Sequence, residues 1–340
     1  IDLDLTAPSF SLDSLRPPSS TGVPLEVALT LTDATAGRAA DALRALHASG
    51  PLARVLVFEA DAEVSSAAIV AQVRAIAREC APGVAVGGGT ELWFAELNRN
   101  PVVADLDLLS FSITPQFHLG DDESMFETLP VQALAVEAAA RLYPGRAIAV
   151  SPITLHARDA FALRAGTPEP VDPRQPSLLC AAWTAGSVAH LTATPARSLT
   201  YFELVGRRGV IPVGGRDEGM RALVYPAYHV LFDACERAGS AYVATASTDP
   251  ARLVATACDS DGGRELCVVN LTAEPQRVRL GPFDRGTRVA LRTLDAKTLE
   301  EAMCRPREFR RAASRAEVQR GAVELDLRPH AICTARCAKE

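Results

Sequence analysis

Residues 86 to 100 read VGGGTELWFAELNRN: three consecutive glycines, then Glu91, Trp93, Glu96, Asn98 and Arg99 within the next turns. Glycines behind a strand can cradle a phosphate on a helix N-terminus. A P-loop, however, needs a lysine after its glycines, and a dinucleotide fingerprint needs its own spacing. Neither follows here. The glycines read better as a steric device, because a backbone without Cβ can kink a strand end and leave room for a ligand against the main chain. Glu96 and Asn98 follow that kink closely enough to face whatever binds there. Arg99 can pair with either glutamate or with a substrate carboxylate; the plainer alternative is an Arg–Glu pair that only orders the loop.

A second candidate acid, Glu203, ends the bulky run LTYFE. Apolar neighbours would pin it, and partial burial suits a carboxylate to general-base or nucleophile work. Its bland reading is a structural acid paired with Arg207 or Arg208. His118 follows the strand-end pair Pro115-Gln116 and precedes Asp121, so it reads as an imidazole oriented by a carboxylate. Glu59 also ends an apolar run. Asp172-Pro173-Arg174-Gln175 reads as a turn and helix N-cap. His190, His229 and His330 sit in patterns that make them packing residues.

These groups need elements to hold them. From about residue 24 to 235 a unit repeats: an apolar run, a loop, then an alanine-rich amphipathic stretch. The runs are PLEVALTL, RVLVFEA, GVAVGGG, LDLLSFSI, RAIAVSPI and SLTYFEL, with helical patterns such as RAADALRALHAS between them. Continuous apolar runs mean strands buried on both faces, as in a parallel sheet. Polar residues follow the ends of many runs rather than gathering at one switch point, which favours a (β/α)₈ barrel of the TIM type over a doubly wound sheet. Only six units are visible, two short of a closed barrel, which leaves two alternatives: an incomplete barrel, or a further segment outside this sequence. Residues 14–235 are assigned to the barrel. Residues 236–340 change to short alternating runs between Gly, Asp and Pro turns, the pattern of an antiparallel β-sandwich. The opening IDLDLTA, within residues 1–13, is a candidate further strand of that sandwich.

Bulk properties narrow the partners. The chain has 340 residues and a formal net charge of −6, which argues against a nucleic-acid partner. No apolar run reaches the length of a membrane span. The chain opens on Ile1 without a leader pattern, which reads as a sequence whose start lies upstream. Its eight cysteines lack CxxC spacing and lie beside apolar residues, so they predict small buried hydrophobes in a reducing, cytoplasmic setting. No metal-ligand signature and no cofactor motif appears.

Six blocks taken together, VGGGTELWFAELNRN, SFSITPQFHLGDDESMFETL, VSPITLHAR, VDPRQPSLLCAAWTAGSVAHL, LTYFELVGRRGV and VYPAYHVLFD, resemble the bacterial D-apionate lactonases. The resemblance implies a glycoside-hydrolase-like barrel followed by a β-sandwich. It implies that Glu91, Trp93, Asn98, Arg99, Gln116, Asp121, Arg158 and Arg208 face the substrate. Departures fall in the same places. Glu91 and Trp93 follow Thr90 where the family has Asn and Tyr, Thr114 replaces an Asn, and His156 stands before the retained Arg158. Leu204, Val205 and Arg207 replace Thr, Thr and Trp.

Two reactions and one binding role fit this set. In lactone hydrolysis, Glu203 or Glu96 takes a proton from water, and His118 and Arg208 donate to the oxyanion. No Gly-x-Ser-x-Gly elbow competes with that scheme. In retaining glycoside hydrolysis, Glu203 with Glu96 or Glu59 would stand about 5–5.5 Å apart. The third reading is a barrel that holds a sugar without turning it over. In each, the partner is a small sugar or sugar lactone.

Overall fold

The computed structural model describes residues 1–12, 22–157, 170–213, 223–260, 263–284 and 286–338. By contacts the chain forms two interleaved units. The first is Ile1–Thr114, Ala135–Glu169 and Pro195–Tyr201; the second is Pro115–Leu134, Pro170–Thr194 and Phe202–Glu340. The described helices, in chain order, are α1 (Arg38–Ser49), α2 (Ala67–Cys80), α3 (Phe94–Arg99), α4 (Asp122–Glu127), α5 (Leu129–Leu142), α6 (Leu178–Thr192), α7 (Ala227–Glu236), α8 (Leu299–Cys304) and α9 (Pro306–Arg311).

The first unit is built on one sheet of β1 (Asp2–Asp4), β2 (Leu25–Leu31), β3 (Leu52–Glu59), β4 (Ala85–Trp93), β5 (Leu108–Ile113), β6 (Ala147–Ile153) and β7 (Ala196–Tyr201). The strands lie in chain order and every pairing is parallel. All six apolar runs become strands, as two-sided burial requires. Helix α1 forms because Ala39, Ala42, Leu43 and Leu46 recur on one buried stripe. Helix α2 does the same with Ile69, Val70, Val73 and Ala77, and Ser66 caps it by accepting from the Ile69 amide.

Two sequence expectations change here. IDLDLTA does not join the sandwich: Asp2–Asp4 pairs parallel to β2, with Leu3 and Leu5 buried. Three alternating residues suit an edge strand of either kind of sheet, so the pattern alone cannot choose. The sheet therefore has seven strands, with β1 and β7 as its edges among the described residues; an eighth strand that would close a barrel is not among them.

The sheet is nevertheless strongly curled. Glu26, on β2, accepts hydrogen bonds from Ser151 Oγ on β6 at 2.7 Å and from Thr200 Oγ1 on β7 at 3.1 Å. Its second oxygen accepts from Arg54 Nε on β3 at 2.5 Å. In a flat sheet, strands four or five positions apart stand roughly 20 Å from one another. Only a sheet rolled on itself lets one carboxylate reach both.

The second unit carries the sandwich. One sheet runs β13 (Ser314–Ala316), β12 (Arg288–Leu294), β15 (Ile332–Ala338), β10 (Gly263–Asn270), β9 (Leu253–Ser260) and β8 (Ala241–Val243), all antiparallel. The other pairs β11 (Gln276–Leu280) with β14 (Val323–Leu327). Leu266, Val268, Leu280, Val323, Leu325 and Cys333 fill the layer between them. Helices α8 and α9 and strand β13 were not foreseen in this all-β stretch. Pro306 at the first turn starts α9, a position where its missing N–H costs nothing. All eight cysteines are free, and six of them are buried.

Candidate functional site

The glycine question has a packing answer. A Cβ on Gly89 would fall on the Ser110 carbonyl oxygen of β5, and its φ of 146° is one that side chains disfavour. The Gly89 amide donates to Ser65 Oγ at 3.0 Å, and Ser65 Oγ donates in turn to the Val57 carbonyl at 2.6 Å. That amide is committed inside the fold and cannot serve a phosphate. The register slip between Gly89 and Trp93 then bends the end of β4.

Beyond that bend, the first unit presents a shallow cleft with room for about one water, lined by Glu59, Glu63, Ser65, Thr90 and Glu91. Glu59 ends β3 and accepts from the Ser66 amide at 3.1 Å, while Glu91 accepts from Thr30 Oγ1 at 2.9 Å. Trp93 is half-buried beside them in sequence. Glu96, on α3, is buried and takes Arg99 Nη1 at 2.6 Å, one helical turn on. Arg99 itself is 67% exposed, and Asn98 is exposed too. The plainer alternative for this pair, an ordered helix end, describes its geometry well. His156 is half-buried, its Nδ1 3.0 Å from the Ala157 carbonyl. Arg158 lies outside the described residues.

In the second unit, three segments that follow strand ends are tied together by side chains. Arg174 is the hub. Its Nε and Nη2 donate to Asp172, its Nη2 also to Gln116 Oε1, and its Nη1 to the Gly120 carbonyl and to Asp122. Gln116 Nε2 closes the ring onto Asp172 Oδ2 at 2.6 Å. Burial alone would raise the Asp172 pKa; hydrogen bonds from Arg174 and Gln116 and the Arg174 charge outweigh it and bring the carboxyl down to about 2. Asp172 does form the expected turn, accepting from the Arg174 amide, but the cap of α6 is Ser177. Gln116 thus places one amide N–H and its carbonyl oxygen in this network.

Next to Arg174, buried Gln175 donates from Nε2 to the Gly209 carbonyl at 2.9 Å. Gly209 belongs to the turn that presents Glu203. Glu203 follows β7 by two residues, and its Oε1 receives both Nε and Nη2 of Arg208, at 3.0 and 2.6 Å. Its Oε2 accepts no hydrogen bond among the described residues. It lies over Gly206, where a Cβ would stand only 3.2 Å away. Glu203 is 32% exposed and Arg208 34%.

The His118–Asp121 pairing is not formed. Asp121 Oδ1 accepts from the Ser124 amide at 2.9 Å and caps α4, which lowers its pKa through the Ser124 hydrogen bonds. His118 is exposed, with its ring edge-on to Phe117. His229 and His330 are packing residues, as expected. His229 is buried with its pKa pushed down to about 4 by burial and by Arg310 and Arg292, and His330 stacks on Phe126.

Sequence reasoning missed three polar centres. Glu26 was passed over inside PLEVALTL, and Arg174 was read only as part of a turn. Buried Asp233, in the helix pattern YHVLFD, collects Arg292 at 2.5 Å and Arg310 at 2.8 Å, with Arg237 at 3.8 Å. Burial opposes ionisation of Asp233, but the three arginines overcome it and lower its pKa. For Glu26 and Asp233 the signal was one charge inside an apolar run, which burial makes costly unless it is paired; Arg174, among Asp172, prolines and Gln175, carried no such signal. Among the described residues, no group of three His, Cys, Asp or Glu could hold a metal ion. No helix there is long and apolar enough to cross a membrane.

Comparison with known proteins adds sequence and fold relations. The family model for the TIM barrel domain of D-apionate lactonase matches residues 11–239, and that for its C-terminal immunoglobulin-like domain matches residues 250–335. The chain is 24% identical over 232 residues to D-apionate lactonase of Brucella anthropi, a match covering 63% of this chain and 36% of that protein. The chain thus spans little more than a third of the curated relative it matches. Among solved structures, the α-L-arabinofuranosidase of Thermotoga maritima in complex with arabinose aligns at a TM-score of 0.63 and 12% identity, covering 92% of this chain and 75% of that one. A family 30, subfamily 8 xylanase of Clostridium acetobutylicum aligns at 0.57 and 13%, covering 94% and 80%. At such identities the likeness is one of fold.

Proposed function

The chain belongs to the D-apionate lactonase family, and from that premise we propose that it is a carbohydrate-active hydrolase that opens a sugar lactone. The observation that carries the reading is the partly exposed Glu203 carboxylate, with one oxygen held by Arg208 and the other, over Gly206, accepting no hydrogen bond among the described residues. A general base needs a fixed orientation and a lone pair within reach of water, and Glu203 has both. Its Oε2 takes a proton from water as the water oxygen bonds to the lactone carbonyl carbon. The carbonyl π pair moves to oxygen, and the Arg208 cation favours that developing charge. Collapse breaks the ring C–O bond, and the proton returns from Glu203 to the departing ring oxygen. The product is an open-chain hydroxy acid.

The side chains around this acid serve positioning. Gln175 holds the turn at Gly209, and the Arg174–Asp172–Gln116 network holds Gln175's neighbours. The test is Glu203→Gln assayed on pentonolactones, with the melting temperature measured on the same sample. The reading predicts lost turnover at unchanged stability. A variant that melts early yet keeps its specific activity at low temperature removes Glu203 from the chemistry.

One observation favours a second reading, retaining glycoside hydrolysis. Three carboxylates, Glu59, Glu63 and Glu91, line a single cleft, and Glu59 and Glu91 lie on adjacent strands. Release of an aryl leaving group from an aryl glycoside, abolished by Glu91→Gln but not by Glu203→Gln, would favour it over the lactonase.

A further inference from the structure

The sandwich carries a charge unlike the rest of the chain. Residues 250–340 hold 17 Lys and Arg against 13 Asp and Glu, while the whole chain holds 35 against 41. Part of that excess is gathered in one open groove of about 960 Å³ on the six-stranded sheet, whose lining includes Arg264, Arg288, Arg315, Arg336, Ser260 and Thr287. Glu265 is the one acid in the lining.

Register explains how the arginines are presented. Arg315 pairs with Ala290, Ala290 with Arg336, and Arg336 with Glu265, so these four residues form a row across β13, β12, β15 and β10. Directly paired residues share a face of the sheet. Their chain neighbours Val289, Ala335 and Cys337 point into the sandwich core, so the row points the other way, because successive side chains alternate. Ala290 leaves a notch between the two guanidinium side chains, whose Cα atoms stand about 10 Å apart across two strand spacings. Arg336 Nε is held by Glu265 at 2.8 Å and its Nη2 stands 3.6 Å from Glu236, so it offers a ligand the remainder of its fork. Arg315 has no hydrogen-bond or ion-pair partner among the described residues and is exposed.

The lining chemistry selects the ligand. The cations are all arginines, whose planar forks match carboxylates, and the hydroxyl oxygens of Ser260 and Thr287, whose protons go to the Gly263 and Asp284 carbonyls, can accept from a polyol. No aromatic side chain lines the groove, so the stacking platform of single-stranded nucleic-acid sites is missing. A spacing of two strands also suits carboxylates on alternate rings of a sugar chain. We propose that this groove binds a carboxylate-bearing polysaccharide, a uronate chain, with Arg315 and Arg336 as its two anchors. The inference is independent of the lactonase reading, since it uses no residue of that site.

Affinity electrophoresis of the full chain in native gels containing polygalacturonate tests it. Migration should slow with polymer concentration, the effect should fade with added salt, and a neutral glucan should leave migration unchanged. Arg315→Ala should weaken binding at least about tenfold, as loss of one charge-assisted contact does. Arg315 has no partner to disturb, so its folding is expected to be intact, and circular dichroism of the same sample checks this. Arg336→Ala should weaken binding similarly. The proposal is overturned if polygalacturonate does not retard the protein, if the neutral glucan retards it equally, or if Arg315→Ala binds unchanged. Binding to oligo(dT) as tight as to polygalacturonate would also overturn it, in favour of an unselective basic surface.

Discussion

The helix Phe94–Arg99 and the turn that begins at Glu203 each carry a glutamate paired with an arginine, and they use it differently. On the helix, Glu96 is buried and its partner Arg99 lies out in solvent. In the turn, carboxylate and guanidinium are about equally exposed, and one carboxylate oxygen accepts no hydrogen bond among the described residues. Pairing an acid with an arginine therefore says little about its role. Each carboxylate is paired through one oxygen only among the described residues. What separates them is the path for water, since the Glu203 side chain is 32% exposed and that of Glu96 9%.

The largest effect should come from removing the carboxylate that water can reach. Glu203→Gln is expected to lower lactone turnover by about 10²–10⁴-fold. Glu96→Gln should change the rate constant less than about tenfold, because its carboxylate takes no part in the proton transfer proposed for Glu203. Steady-state kinetics on both variants checks this, and the reverse ranking would break the comparison.

Next in size is Asp233, a carboxylate with no free path at all. Asp233→Ala leaves Arg292 and Arg310 buried without their anion, which should cost about 3–5 kcal/mol. Differential scanning calorimetry should show a melting temperature lower by on the order of 10 °C. A shift of a degree or two would mean that the arginines find other partners.

Asp172 offers a pH test. Its folded pKa lies below the ordinary 3.8, at about 2, so its stabilisation is complete above 3.8 and is lost as pH falls toward 2. The contribution is about 2 kcal/mol at neutral pH. Asp172→Asn should therefore flatten the acid limb of the melting profile in that window. An unchanged limb would show that other carboxylates dominate it.

The smallest effect is expected at Arg99. Its guanidinium is mostly in water, so Arg99→Ala should cost under about 1 kcal/mol in urea titration. A larger loss would raise Glu96–Arg99 from a helix-end pair to a core element.

Much of the fold was legible because burial leaves a period in the sequence. Six parallel strands, helix α1 over RAADALRALHAS and the turn to alternating strands in the second half all followed from apolar spacing. Asp2–Asp4 was assigned to the wrong sheet, since an edge strand needs too few residues to declare its partner. The site was legible in part. Glu203 stood out as an acid pinned behind bulky residues, and the glycine run was read as steric. Arg174 did not stand out as a hub, because its five donors find their acceptors on segments up to 58 residues away.

The sequence alone determined which segments bury a face, where chemistry-bearing residues follow strand ends, and the family to which the chain belongs. Those are local properties, set by side-chain period and by residue type. Only the tertiary structure decided which charges are spent. Asp121 went to an amide rather than to His118, Gln116 to Asp172, and Glu26 across a curled sheet to Ser151 and Thr200. A hydrogen bond depends on angstrom-scale distance and angle between groups far apart in the chain, and no spacing within the sequence encodes that.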